Sequence, residues 1–140
     1  MSIASKIENG RAEFSYLCAM EGKKLGNKAK EYKSHIKSLP MIIHTNGLGA
    51  TIAFVFSKSK VETYEMIYNQ LKKWFVLKKY MEEDDDFVKI IISADSYKYR
   101  LYTLEVIALC GWIKRFAEGM IDDKNEKTQK EVMFSGDGNN

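Results

Sequence analysis

Between Tyr97 and Met120 the apolar residues fall at Tyr99, Tyr102, Val106, Leu109, Ile113, Phe116 and Met120. Steps of three and four stack side chains on one face of an α-helix, so this stretch commits the chain to a long helix. A second apolar row, Leu101, Leu104, Ala108 and Trp112, runs beside the first. With two rows apolar, the middle of the helix is expected to be surrounded by other elements, as the central helix of the fold. Charges return at its ends, Lys98 and Arg100 near the start and Lys114, Arg115 and Glu118 in the last turns, where cations also suit the helix dipole. Its ends are therefore the places open to partners.

What surrounds such a helix is read from the rest of the chain. Its 140 residues fit one domain with one core. Proline occurs once, at Pro40, and Leu, Ile, Lys, Glu and Ala dominate, which favours an all-α bundle of about five to six helices. From about Ser5 to Leu25, Ile7, Phe14, Leu17, Cys18 and Leu25 can share one helical face, ending in a lysine-rich turn from Gly22 to Gly26. Tyr32, Ile36, Leu39 and Ile43 define a second helix from about Lys28 to His44, which Pro40 should kink or split. Thr45 to Ala50 reads as a tight connector. The apolar run Thr51 to Phe56 has the character of a strand or a short core helix; a lone strand would have no pairing partner, so a buried helix is expected.

Ser59 and Glu62 have the spacing of a capping box, opening a helix with Tyr64, Ile67, Tyr68, Leu71, Trp74, Phe75 and Lys78 on its inward stripe. Phe87, Ile90 and Ile91 suit a short fifth helix that Ser93 to Ser96 ends. The helical domain should therefore span residues 1–121, with residues 122–140 a mobile polar tail broken only by Val132-Met133-Phe134.

Few residues suggest catalysis. The two histidines, His35 and His44, are nine apart and so fall on opposite faces of a continuous helix, with no cysteine or acid at ligand spacing. Cys18 and Cys110 sit among apolar neighbours, as reduced core thiols of a cytoplasmic protein rather than as a nucleophile or a disulfide. Gly47-Leu48-Gly49 lacks the length and the following Lys-Ser or Lys-Thr of a phosphate loop and reads as a turn. Glu82 to Asp86 could offer oxygens to a hard cation, and Asp84, Asp85 and Asp86 would be the ligands of a metal nuclease. The spacing is not that of a calcium loop, however, and acids commonly precede a helix. No metal, cofactor or catalytic residue is expected. No basic-then-apolar leader opens the sequence, and no apolar run approaches the roughly 20 residues of a membrane span.

Charge is more informative. The net charge is +3, and residues 1–121 alone carry +5. Lys23, Lys24, Lys28, Lys30, Lys33 and Lys37 face a single intervening acid, Glu31. Such a run is either a solvated helix face or a binder of phosphates that reads no bases. Stacking on unpaired bases has less support, since most aromatics fall on inward stripes.

Several fragments carry a resemblance. These are Asn46-Gly47-Leu48 followed by Thr51, Ala53 and Phe54; Tyr99-Arg100 with Thr103 and Glu105; Trp112 to Ala117; Arg11; and Leu39-Pro40 ahead of the glycines. Over about residues 5–121 the chain resembles the small helical subunit of the type III-B CRISPR effector, the Cmr complex. The resemblance implies an all-helical, non-catalytic subunit, stacked in several copies as a minor filament beside the guide-bearing backbone of an RNA-targeting complex. The partners it implies are the other effector subunits, copies of this chain, and guide and target RNA, with no membrane. It supplies no invariant active-site residue. Charge then nominates Arg11, Lys23, Lys24, Lys28, Arg100, Lys114 and Arg115 for RNA contact. A helical adaptor that joins proteins without touching RNA is the competing reading.

Overall fold

The computed structural model describes residues 3–122, and all its regular elements there are helical. The helices are α1 (Ile3–Lys23), α2 (Ala29–Asn46), α3 (Leu48–Ser57), α4 (Glu62–Leu77), α5 (Phe87–Ile92) and α6 (Ser96–Met120), with a 3-10 turn at Gly26–Lys28. The inward face expected of the Ile7 side chain and the mobile tail expected at residues 123–140 fall outside what is described. Among the described residues no helix is long and apolar enough to cross a membrane.

The core lies where α6 meets α1 and α2, and α4 closes it from the other side. Val106, Leu109, Cys110, Ile113 and Ala117 of α6 pack with Tyr32, Ile36, Leu39 and Ile43 of α2 and with Ile67, Leu71 and Phe75 of α4, all of them buried. A large side chain of this kind removed from water contributes about 1.5–3 kcal/mol. The second row of α6 departs from expectation. Leu104 is 61% exposed, Leu101 is exposed, and Ala108 and Trp112 are half-buried. The neighbouring helices reach only one side of α6, so its central position closes one face and leaves an outward apolar stripe.

Three other expectations are corrected. Leu17 is 57% exposed, because Ser15, Cys18, Ala19 and Gly22 form the inward line of α1 instead. Pro40 does not split α2, which runs unbroken from Ala29 to Asn46. The lost backbone bond is local, whereas buried Ile36, Leu39 and Ile43 hold both halves of the helix against the core. No capping box forms at Ser59. A turn in which Val61 N–H donates to the Lys58 carbonyl at 2.9 Å delays α4, and Val61 occupies the cap without a side-chain bond.

The connector before α3 contracts to Gly47, whose φ of 87° lies in the region open to glycine. α3 is a helix, as expected, but it buries Leu48, Thr51, Ile52 and Val55 while Ala53, Phe54 and Phe56 face outward.

Candidate nucleic-acid interface

The basic face begins with a close approach. Gly22 of α1 lies against the Tyr32 ring of α2, where a Cβ would come within 2.3 Å of ring carbons. The Tyr32 hydroxyl donates to Gln70 Oε1 at 2.7 Å, and Gln70 Nε2 donates to the Cys18 carbonyl at 3.1 Å and to Glu21 Oε1 at 2.7 Å. Burial pushes the tyrosine's pKa well up. With α1 and α2 held this closely, the chain turns through Lys24–Lys28, aided by Gly26 at φ 66°, and leaves Lys23, Lys24 and Lys28 exposed at the elbow. Lys28 reaches Glu62 at 3.3 Å across solvent, a contact of the kind worth at most about 1 kcal/mol.

Beyond the elbow, Lys30, Lys33, Ser34, Lys37 and Ser38 line a surface depression of about 360 Å³. Lys33 Nζ donates to the Ile121 carbonyl at 2.7 Å, and Lys37 lies 3.8 Å from Glu118. These contacts bring the end of α6 beside the lysine face of α2. Lys114 is one turn before Glu118 on α6, and Arg115 is exposed next to it.

The remaining nominated cations lie elsewhere. Arg100 is exposed at the other end of α6, about 22 Å of helix rise from Arg115, and borders a depression with Ala94, Ser96, Tyr99 and Thr103. Arg11 points inward. Its Nη2 and Nε donate to Glu105 at 3.0 and 3.2 Å, and Trp74 Nε1 donates to the same carboxylate at 2.7 Å, with the Arg11 and Glu105 side chains 14% and 7% exposed. Arg11 thus ties α1 to α6 and stands apart from the elbow lysines.

Several groups with chemical potential are held in structural contacts. Burial pushes the Cys110 thiol up to about 12 and the Cys18 thiol higher still, so both resist ionisation. His35 stacks on Tyr64 at a centroid distance of 3.9 Å, and its Nδ1 lies 3.1 Å from Thr63 Oγ1. Asp85 accepts from the Glu82 N–H at 2.8 Å, and Asp86 caps α5 by accepting from the Lys89 N–H at 3.3 Å. Among the described residues no group of three or more His, Cys, Asp or Glu is placed to hold a metal.

A family model described as CRISPR-associated protein (Cas_Cmr5) matches residues 7–120. The chain belongs to the Cmr5 family. Over 98 residues it is 29% identical to the CRISPR system Cmr subunit Cmr5 of Thermus thermophilus, a match covering 70% of this chain and 82% of that one. The crystal structure of a CRISPR-associated Cmr5 family protein from the same organism superposes with a TM-score of 0.69 at 26% identity, covering 87% of this chain and all of the other. Membership of the Cmr5 family makes the chain a small subunit of the Cmr effector complex of type III-B systems.

Several residues of the fragments that carry the resemblance make structural hydrogen bonds. The Tyr99 hydroxyl accepts from the Gly49 N–H at 2.8 Å, Thr51 Oγ1 donates to the Gly47 carbonyl at 2.8 Å, and Thr103 Oγ1 donates to the Tyr99 carbonyl at 2.8 Å. The Tyr99–Gly49 bond fixes the start of α3 on α6, the two threonine bonds each close a turn of their own helix, and Arg11 and Glu105 fix α1 on α6. The α2 depression was partly legible: its lysines recur at 30, 33 and 37, but Ser34 and Ser38 complete it only once the curvature of the surface is known.

Proposed function

We propose that this Cmr5-family chain is a non-catalytic subunit that stacks with copies of itself as a minor filament and holds guide or target RNA by its phosphates, in the cytoplasm. The observation that carries the RNA reading is the α2 depression, whose lining consists of three lysines and two serines, with Lys23, Lys24 and Lys28 exposed at the elbow as a second basic cluster. Ammonium groups and hydroxyls suit phosphate oxygens and carry no base code, which fits an effector whose guide reads sequence by pairing. Lys114 and Arg115 extend this surface from α6, and Arg100 would meet a separate part of the assembly. Arg11 serves the fold.

Support for a non-catalytic role comes from the buried thiols, the stacked His35, and Asp85 and Asp86 occupied in turn and capping contacts. The exposed α6 stripe of Tyr97, Leu101 and Leu104 supports contact with neighbouring protein copies. That stripe also favours the second reading, an adaptor without RNA contact. Nuclease protection of RNA in effector complexes assembled with and without the subunit separates the two. A shorter protected segment on omission is expected; unchanged protection would leave the adaptor.

A further inference from the structure

The core buries Trp74, Phe75 and Phe87, yet leaves Phe54 and Phe56 of α3 exposed by 38% and 52%. Their surroundings are aromatic. Tyr64 meets Phe54 edge-on at 5.6 Å and is itself backed by the His35 ring. Tyr68 meets Phe56 at 5.6 Å and rests edge-on against buried Phe87 at 5.5 Å. Each exposed ring is thus braced by a half-buried tyrosine, which holds it without covering it.

Lysines stand beside these rings. Lys58 Nζ lies 6.0 Å from the Phe54 centroid, and Lys60 is exposed two residues further along the turn. α3 carries no acid, and Glu62 and Glu65 of α4 lie on its far flank, lining the groove against α1. Two acids bear on the bracing tyrosines: Glu31 on Tyr64, where it accepts from the Thr63 hydroxyl, and Asp86 on Tyr68, where it caps α5. An apolar protein partner would need only the rings. Exposed aromatic faces with lysines beside them match the requirements of single-stranded nucleic acid.

We propose that the α3–α4 corner is a stacking platform for an unpaired base of single-stranded RNA, with Phe56 against the base and Lys58 and Lys60 on the flanking phosphates. The proposal rests on the reading that the subunit touches RNA, and it adds a site separate from the α1–α2 elbow. Contact with the base is made through the π face, so that part of the binding depends on aromaticity rather than on salt.

The test uses the assembled effector complex with RNA carrying 2-aminopurine at successive positions. Phe56→Leu keeps an apolar side chain but removes the ring; Phe56→Tyr keeps the ring. Phe56→Leu should weaken RNA binding by about tenfold and release fluorescence quenching at one position, while leaving the salt dependence of affinity and the amount of subunit in the complex unchanged. Phe56→Tyr should behave as the native chain. Unchanged affinity and quenching in Phe56→Leu would overturn the platform. So would loss of the subunit from the complex with no change in RNA affinity per retained subunit, which would make the patch a protein contact. Glutamate substitutions at Lys23, Lys24 and Lys28 act through the salt dependence, so failure of the elbow reading is seen separately.

Discussion

A carboxylate withdrawn from water needs donors, and Glu105 has three, two from Arg11 and one from Trp74. Arg11→Met leaves the carboxylate buried without its counter-charge and should lower stability by about 3 kcal/mol in urea unfolding. Adding Glu105→Gln should recover part of that loss, because the coupling belongs to the pair. The salt dependence of RNA binding by complexes carrying the folded Arg11 variant should not change. His35 yields a pH prediction. Thr63 Oγ1 donates to Glu31 at 3.0 Å and so accepts from the His35 Nδ1–H, and burial, opposed by Glu31, holds the imidazole below its ordinary pKa. The unfolded chain therefore takes up the proton first as pH falls. Stability from this group is intact above the ordinary histidine range and is lost on acidification through it. Melting temperature should fall less between about pH 7.5 and about pH 5.5 in His35→Phe than in the native chain.

Helix pairs are set by single close approaches. Gly22→Ala forces a Cβ into the fully buried Tyr32 ring, and the displaced ring disturbs its bonds with Gln70. A loss of about 2–3 kcal/mol is expected from thermal or urea unfolding, well above the small gain that alanine brings to an unobstructed helix. Elements of this kind were readable where one residue decides them locally. The run Tyr32, Ile36, Leu39 and Ile43 located α2 because its side chains share one face, and the three- and four-residue steps located α6 to within a residue. The capping at Ser59 was misread because a preceding turn, which no local pattern announces, moved the start of α4. The outward row of α6 was misread because periodicity tells which residues share a face but not whether another helix arrives to cover it.

At the scale of the molecule, the all-α architecture followed from composition and helical periodicity, while the arrangement of its charges did not. Lys23 and Lys28 were near in sequence and stay near in space. Arg11 was grouped with them for its charge, yet its partner Glu105 is 94 residues away and draws it inward. Lys33 and Lys37 meet Ile121 and Glu118 through a long-range packing of α2 on α6 that sequence spacing cannot express. The α2 depression gains its α6 border only after that packing forms, while Lys28 of the elbow turns toward Glu62 of α4.

The salt dependence of RNA affinity, measured on effector complexes carrying either the native chain or Lys23→Glu, Lys24→Glu and Lys28→Glu together, bears most directly on RNA contact through the elbow. If the three lysines hold phosphates, affinity at low salt drops and the slope of log affinity against log salt becomes shallower by about 2. Unchanged affinity and slope, with the substituted subunit fully retained in the complex, would contradict phosphate contact at the elbow.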